Sequence, residues 1–311
     1  MRLKTFLEVD HGGQEDYGSG NGFGTGIGKS FLVALLCRLF KEDGHKVAPF
    51  KTLNLTPVTC VKDGREFGYA QALQAIAAGQ EPDYRMNPYT PKPLGNGRFD
   101  IFLEGKCIER NFDPERGFIK SALRRALGFR GEFEYIKDAA KRCLDSLSRE
   151  YDIICIEGSG PFKLLGFGPL SELLDIANME TARIADAPVI FVTDNLDSIL
   201  GALSYLEDEE KRRVKGVILN KFRVDEFSSM GIKERYIRLG MKRIKSVYQE
   251  RIGRKILGVI PYLPELSRLP EIDPLIPSAK IPFDIWKKVI DKVSEKVREY
   301  IDLNEIYAIM Y

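Results

Sequence analysis

The 311-residue sequence predicts a doubly wound α/β fold, a mostly parallel sheet with helices on both faces. Apolar, β-branched runs alternate with stretches of helical period. Those runs are continuous rather than alternating, as parallel strands covered on both sides must be. A glycine run that ends in Gly-Lys-Ser and passes straight into an apolar helix adds an anion site to this plan.

The expected strands are "TFLEV" (5–9), "KVAPF" (46–50), "DIICIE" (152–157), "PVIFVT" (188–193), "VKGVILN" (214–220) and "ILGVIP" (256–261). The first helix covers 30–44, with Leu32, Leu35, Leu36, Leu39 and Phe40 on one stripe and Gly44 as its stop. Further helices are expected over 66–79, 132–149, 171–185, 197–209 and 230–252, with a last amphipathic stretch over 282–303. Residues 1–275 read as the main domain. Residues 276–311 read as a helical extension that could dock on the core or serve an oligomer interface. The segment 80–131, with "NPYTPKP" and scattered charge, is the least regular and reads as a flap or subdomain over the sheet edge.

Lys+Arg number 47 against Asp+Glu 45, so no strong field would attract nucleic acid or a membrane surface. The local cluster Lys211, Arg212, Arg213 reads as a solvated helix end. The five cysteines form no C-x-x-C pair and read as reduced, mostly buried thiols. The N-terminus has no apolar core of signal-peptide type, and no run reaches the roughly 18 apolar residues of a membrane span. A cytoplasmic protein is expected, without nucleic-acid or membrane partners, and as a homodimer. With only His11 and His45, a histidine-based metal site or a Ser-His-Asp triad is disfavoured.

A phosphate-binding loop needs glycines so that successive backbone N–H groups converge on oxygen. It also needs a lysine for the outer phosphates and a hydroxyl for Mg²⁺, all at a helix N-terminus. Gly24, Thr25, Gly26, Ile27, Gly28, Lys29 and Ser30 supply this set. The usual G-x-x-x-x-G-K-[ST] spacing would require glycine at Phe23; Gly22 gives instead a loop one residue longer. A flexible linker ending by chance in Gly-Lys-Ser is the plainer alternative, and the following helix argues against it. The stretch "DHGGQEDYGSGN" separates Val9 from Gly22, so either the loop carries an insertion or "TFLEV" is not its strand. Glu157 ends a strand, where functional groups gather at the carboxyl edge of such sheets; its alternative is a carboxylate capping a turn.

The longer spacing is similar to that of the dethiobiotin synthetase-like P-loop NTPases. The chain most closely resembles the N-terminal, ATP-using domain of cobyric acid synthases. The resemblance is carried by "VAPFKTLN" (47–54), "DGREFGYAQALQAIAAGQEP" (63–82), "MNPYTPKP" (86–93) and "YDIICIEGSG" (151–160). It continues in "DIANMETARIADAPV" (175–189), "KGVILNKFRVD" (215–225) and "ILGVIPYLPELSRLPEID" (256–273). It implies a synthetase domain in which ATP phosphorylates a substrate carboxylate and ammonia displaces the phosphate to leave an amide. Lys29 and Lys51 would neutralise the transferring phosphoryl group, with Glu157 as the third catalytic residue. Ser30 and Glu157 would hold Mg²⁺, and Gln71 falls where dethiobiotin synthetase has an acidic metal ligand. Asn220 and the Pro261 loop match elements that hold adenine, although Asn220 could instead cap a turn. Asn54, Asn87 and Lys92 fall on the expected substrate side. The implied acceptor is a corrinoid-like polycarboxylate, and a separate glutaminase subunit is a possible partner.

Three departures sit beside the match. The family's glutaminase domain is expected to be absent after residue 311. The family's "GAGSPAE" reads "GSGPFKL" (158–164), and its "DIDRGG" and "KAQN" read "DNLDSI" (194–199) and "KTLN". They leave open a dethiobiotin-synthetase-like cyclo-ligase, and a ParA/MinD-type ATPase switch. Against the switch, Gly24 stands where such proteins carry a signature lysine. A nucleotide-binding regulatory homologue without turnover stays open as well.

Overall fold

The computed structural model describes residues 3–9, 28–115, 117, 133–159, 169–224, 229–263, 266, 269–274 and 276–311. In chain order the strands are β1 (Leu3–Val9), β2 (Val47–Phe50), β3 (Thr59–Lys62), β4 (Arg65–Gly68), β5 (Tyr89–Gly95), β6 (Arg98–Leu103), β7 (Lys106–Phe112), β8 (Ile153–Glu157), β9 (Val189–Thr193), β10 (Val214–Phe222) and β11 (Lys255–Pro261). Six of them form one sheet in the order β11-β10-β9-β1-β8-β2, and every pairing in it is parallel. The chain steps from β1 past β8 to β2, then later from β8 across β1 to β9. The winding therefore reverses beside β1, which opens a crevice at the carboxyl ends of the central strands.

The continuous apolar runs have a direct cause. On β8, Ile153 and Cys155 enter one core while Ile154 and Ile156 enter the other; on β9, Ile190 and Val192 oppose Val189 and Phe191 in the same way. One core is closed by α1 (Lys29–Glu42), α2 (Tyr69–Ala77) and the carboxyl-terminal helices Phe283–Val297 and Leu303–Met310. The other is closed by Glu134–Glu150, Thr181–Ala185, Ile199–Ser204 and Glu234–Ile252.

Segment 84–112 holds regular structure that the sequence reading passed over. The strands β5, β6 and β7 make an antiparallel sheet, with Tyr89 and Ile101 packed on Leu53, Ile136 and Ile176. A separate β3–β4 hairpin precedes α2, so the helix expected from residue 66 begins only at Tyr69. The hairpins turn on Asp63-Gly64, Asn96-Gly97 and Glu104-Gly105, all six residues with positive φ. Such left-handed pairs match the twist of the strands they join. The helix expected over 171–185 is broken by a π-turn at Ile176–Glu180, where Asn178 has φ −121° and ψ −105°. The stretch expected as one helix over 197–209 divides into short pieces, the next helix starting at Asp208 behind a Glu207–Glu210 capping box.

The carboxyl-terminal segment packs against the core. Trp286 is fully buried and its Nε1–H donates to the Leu73 carbonyl at 2.7 Å. Beyond Val297 the chain touches the sheet edge, with an antiparallel bridge from Ile301 to Gly258 and a bond from the Asp302 N–H to the Leu257 carbonyl at 2.7 Å.

Candidate active site

Gly28 begins α1 in the left-handed conformation, φ 85°, and its carbonyl accepts the first helical bond from Leu32. Gly24, Thr25, Gly26 and Ile27, together with the glycine run before them, lie outside the described residues. Lys29 and Ser30 form the first turn of α1, which aims the positive end of the helix at the crevice. A β-carbon on Gly28 would sit 2.9 Å from Asn220 Nδ2, so Asn220, two residues before the end of β10, lies directly against the loop's exit. Pro261 ends the neighbouring β11 and pairs with Phe222.

At the carboxyl end of β8, Glu157 is buried and gathers three donors. Ser30 Oγ donates to its Oε1 at 2.8 Å, Lys51 Nζ to the same oxygen at 2.9 Å, and Gln74 Nε2 to Oε2 at 2.6 Å. The second proton of Gln74 Nε2 reaches the Ser30 carbonyl at 3.1 Å. Lys51 follows β2, and its Nζ also donates to Asp273 Oδ2 at 2.7 Å. Asn54 Nδ2 completes the group, donating to Asp273 Oδ1 and to Gln71 Oε1, each at 3.0 Å. The predicted Lys29, Ser30, Lys51, Asn54, Gln71 and Glu157 thus converge on one place, from α1, β8, α2 and the end of β2.

Burial and charge oppose each other here. Burial alone would lower the Lys51 ammonium, but Asp273 and Glu157 outweigh it and hold the group well above the usual lysine value. Burial alone would raise the Glu157 carboxyl; Lys51, the Gln74 amide and Lys29 more than offset this and keep it below its usual value. Both groups are ionised at neutral pH, which a buried pair sustains only with such added hydrogen bonds. Nearby, Cys37 is fully buried; desolvation, then Cys155 and Glu157, push its thiol well up. It stays protonated and is no nucleophile.

Three expected roles change. Asn87 accepts from the Gly68 N–H at 2.9 Å and from Thr90 Oγ1 at 2.7 Å, and its amide donates to the Lys51 carbonyl at 2.8 Å and the Tyr89 carbonyl at 3.3 Å. All its hydrogen-bonding capacity is used, so it fixes Lys51 and β5 rather than contacting substrate. Lys92 pairs with Glu66 at 2.6 Å, which Thr59 also bonds, and ties β5 to β4 instead of entering the cluster. Gln71 turns its oxygen to Asn54 and leaves its Nε2, fully buried, with no partner among the described residues. A metal needs the oxygen. An amide nitrogen suits an anion, so the metal-ligand role does not fit Gln71.

Sequence reasoning missed Gln74, Asn178 and Asp273. Gln74 stands one turn beyond Gln71 on a helix whose residues are otherwise nearly all small or apolar, a polar i, i+3 pair that could have been noticed. Its Oε1 is buried and partnerless among the described residues, beside Ser30 and Glu157. Asn178 bonds both the N–H and the carbonyl of Ser159, at 2.7 and 3.0 Å, and so anchors the exit of β8 from within the π-turn. Asp273 lies 222 positions from Lys51; the stretch 256–273 that carries the resemblance ends on it, and that was the one signal that could have found it.

The oxygen donors would suit a magnesium ion held with a nucleotide: the Ser30 hydroxyl, the Glu157 carboxylate and the partnerless Gln74 oxygen. No group of three His, Cys, Asp or Glu capable of holding a metal occurs among the described residues. The ion would therefore depend on phosphate oxygens, the usual habit of magnesium.

A parallel sheet wound about a central strand, a lysine-serine helix start and a carboxylate at the next strand end define a P-loop nucleotide-binding domain. Residues 21–274 match the family described as the CobQ/CobB/MinD/ParA nucleotide binding domain, and the chain belongs to that family. It is 38% identical over 253 residues to cobyric acid synthase of Pelotomaculum thermopropionicum, covering 79% of this chain and 43% of that protein. The match to cobyric acid synthase of Clostridium botulinum strain Alaska E43 is 39% over 248 residues, covering 78% and 43%. The chain thus spans less than half the length of these relatives. MinD of Aquifex aeolicus overlays 95% of this chain and 97% of its own at 13% identity, with a TM-score of 0.39, a likeness too loose to carry an inference. No helix among the described residues is long and apolar enough to cross a membrane.

Proposed function

We propose that this domain is an ATP-dependent carbon–nitrogen ligase of the cobyric acid synthase type, amidating carboxylates on a corrinoid-like polycarboxylate. The observation that carries the reading is the Lys51–Glu157–Ser30 contact at the mouth of α1, with Lys51 2.9 Å and Ser30 2.8 Å from one carboxylate oxygen. It unites a phosphate-facing helix start, a cation and an oxygen ligand set, as phosphoryl transfer requires. A carboxylate oxygen of the acceptor attacks the terminal phosphorus of ATP, the bond to ADP breaks, and an acyl phosphate forms. Ammonia then attacks the acyl carbon, the bond to phosphate breaks, and the nitrogen loses a proton to leave the amide.

Lys29 and Lys51 offset charge on the transferring group, and Glu157 orients both Lys51 and Ser30. A magnesium ion held by Ser30 and Glu157, with the Gln74 oxygen near, would neutralise the outer phosphates. Asn220 and the Pro261 loop would flank the base. Ammonia would come from solution or from a separate glutaminase subunit.

The test is phosphate release with ATP, Mg²⁺ and ammonium against a panel of corrinoid polycarboxylates and diamines. Lys29→Ala should abolish acceptor-dependent release. Glu157→Gln should reduce turnover more than nucleotide affinity, because alignment matters most in the transition state. Unchanged turnover in both variants overturns the reading, and response to a diamine alone would move it to cyclo-ligation.

A further inference from the structure

Glu157 already accepts from Lys51 and Ser30, yet a second carboxylate, Asp273, takes the same ammonium at 2.7 Å and the Asn54 amide at 3.0 Å. The two carboxylates differ in setting. The Glu157 side chain is 1% exposed at the strand end, whereas that of Asp273 is 13% exposed and arrives from the segment after β11. Asp273 therefore occupies the more open side of Lys51.

Its acceptor-only oxygens fix the orientation of the neighbours. Asn54 must present its NH₂ to Asp273, that same NH₂ meets the Gln71 oxygen, and the Gln71 NH₂ is left buried and without an acceptor among the described residues. Lys51 Nζ, Asn54 Nδ2 and Gln71 Nε2 are thus gathered as donors; the first two are served by the acceptors named above, and Gln71 Nε2 has none among the described residues. Two of them hold the carboxylate of the chain itself. A donor set of this kind recognises an oxyanion.

We propose that Lys51, Asn54 and Gln71 form an oxyanion subsite, and that the Asp273 carboxylate occupies it as an intramolecular competitor that leaves when a ligand's oxyanion enters. Charge supports displacement over coexistence. Lys51 already faces Glu157 and Asp273, and a third negative group at the same cation would be repelled by both. Departure of the more exposed carboxylate into water is the least costly release. The entering oxyanion is either the terminal phosphoryl group of the nucleotide or the acceptor carboxylate. The subsite rests on the ligase reading for that identity alone. It is tested by binding without turnover, so failure of either idea is seen separately.

The measurement is calorimetric titration of wild type, Asp273→Asn and Gln71→Glu with Mg·ADP, Mg·AMP-PNP and citrate, the last as a tricarboxylate probe. A ligand that must wait for Asp273 to leave binds more weakly by the fraction of time the site is open. If the free site is open about a tenth of the time, Asp273→Asn should bind that ligand about tenfold more tightly. A gain for AMP-PNP but not ADP assigns the subsite to the terminal phosphoryl group; a gain for citrate alone assigns it to the acceptor. Gln71→Glu, which puts a charge back into the subsite, should weaken the same ligand. Unchanged or weaker binding of all three ligands to a folded Asp273→Asn protein overturns the proposal, as does indifference of that ligand to Gln71→Glu.

Discussion

Glu157 is charged although almost wholly removed from water, because Ser30, Lys51 and Gln74 all donate to it. A carboxyl held below its usual value adds stability that is full at neutral pH and disappears as pH falls through the folded-state value. Glu157→Gln has no such contribution to lose. Its unfolding free energy should therefore decline less than that of the wild type between neutral and acid pH, as read by urea titration at stepped pH; superimposable acid limbs would contradict this. Lys51 behaves in the opposite sense: its raised value adds stability that fades only as pH climbs past the usual lysine value of about 10.4. Between neutral pH and that value the pair stays ionised. Faster amidation at higher pH would then reflect more free ammonia rather than titration of Lys51. Gly68 exerts its effect by size alone, since its φ of −58° suits any residue. A β-carbon there would run into Gln71 Oε1 and lie 2.5 Å from Asn54 Nδ2 and 2.9 Å from Asn87 Oδ1. Gly68→Ala should cost about 1–3 kcal/mol of stability, in the range of overpacked cores, and should depress turnover, measured by denaturant midpoint and phosphate release.

At the scale of elements, what the sequence disclosed depended on the range of the signal. The six parallel strands announce themselves because burial on both faces demands unbroken apolar runs, and α1 because its stripe of Leu32, Leu35, Leu36 and Leu39 recurs at helical period. The small antiparallel pieces were equally written, in Asp63-Gly64 and Asn96-Gly97. They were passed over because β7 alternates little and is mostly exposed, so periodicity is silent there. The break at Asn178 has no local cause in helix propensity; it follows from the side chain's tie to Ser159, 19 residues earlier. Within the site, Gln74, Asn178 and Asp273 lie inside stretches that carry the resemblance, but the partners that give them a role, Glu157, Ser159 and Lys51, are met only through folding. Gln71 was readable as a site residue, but its role turned on which end of its amide Asn54 takes. The helix Phe283–Val297 gives a stability test on the same footing. Trp286→Ala removes the largest buried side chain, a change that typically costs about 3–5 kcal/mol. Trp286→Phe should lose less, keeping most of the packing and giving up the bond to Leu73. Equal denaturant midpoints for the two variants would show that packing contributes little there.

For the whole molecule, the question is whether residues 276–311 are an addition to a finished domain or part of its core. The packing favours the second. Trp286, Ile290, Val293, Val297, Ile301, Leu303, Ile306 and Met310 belong to the same apolar cluster as the α1 stripe and Leu73 of α2. Tyr69, at the start of α2, bonds the Ile281 carbonyl at 2.7 Å and stacks on Phe283 at 5.4 Å. The two helices that carry Lys29, Ser30, Gln71 and Gln74 are thus held from behind by this segment, and exposing that face would free both to shift by more than an active site tolerates. A chain ending at residue 274 retains every residue of the candidate site, Asp273 included. It should nevertheless lose cooperative thermal unfolding, bind an environment-sensitive apolar dye, and lose nucleotide affinity by titration. Supplying 276–311 as a separate peptide should restore part of that affinity. A truncated chain that unfolds at the wild-type temperature and binds nucleotide as tightly would make the segment an appendage. The support of α1 and α2 would then have to come from the sheet alone.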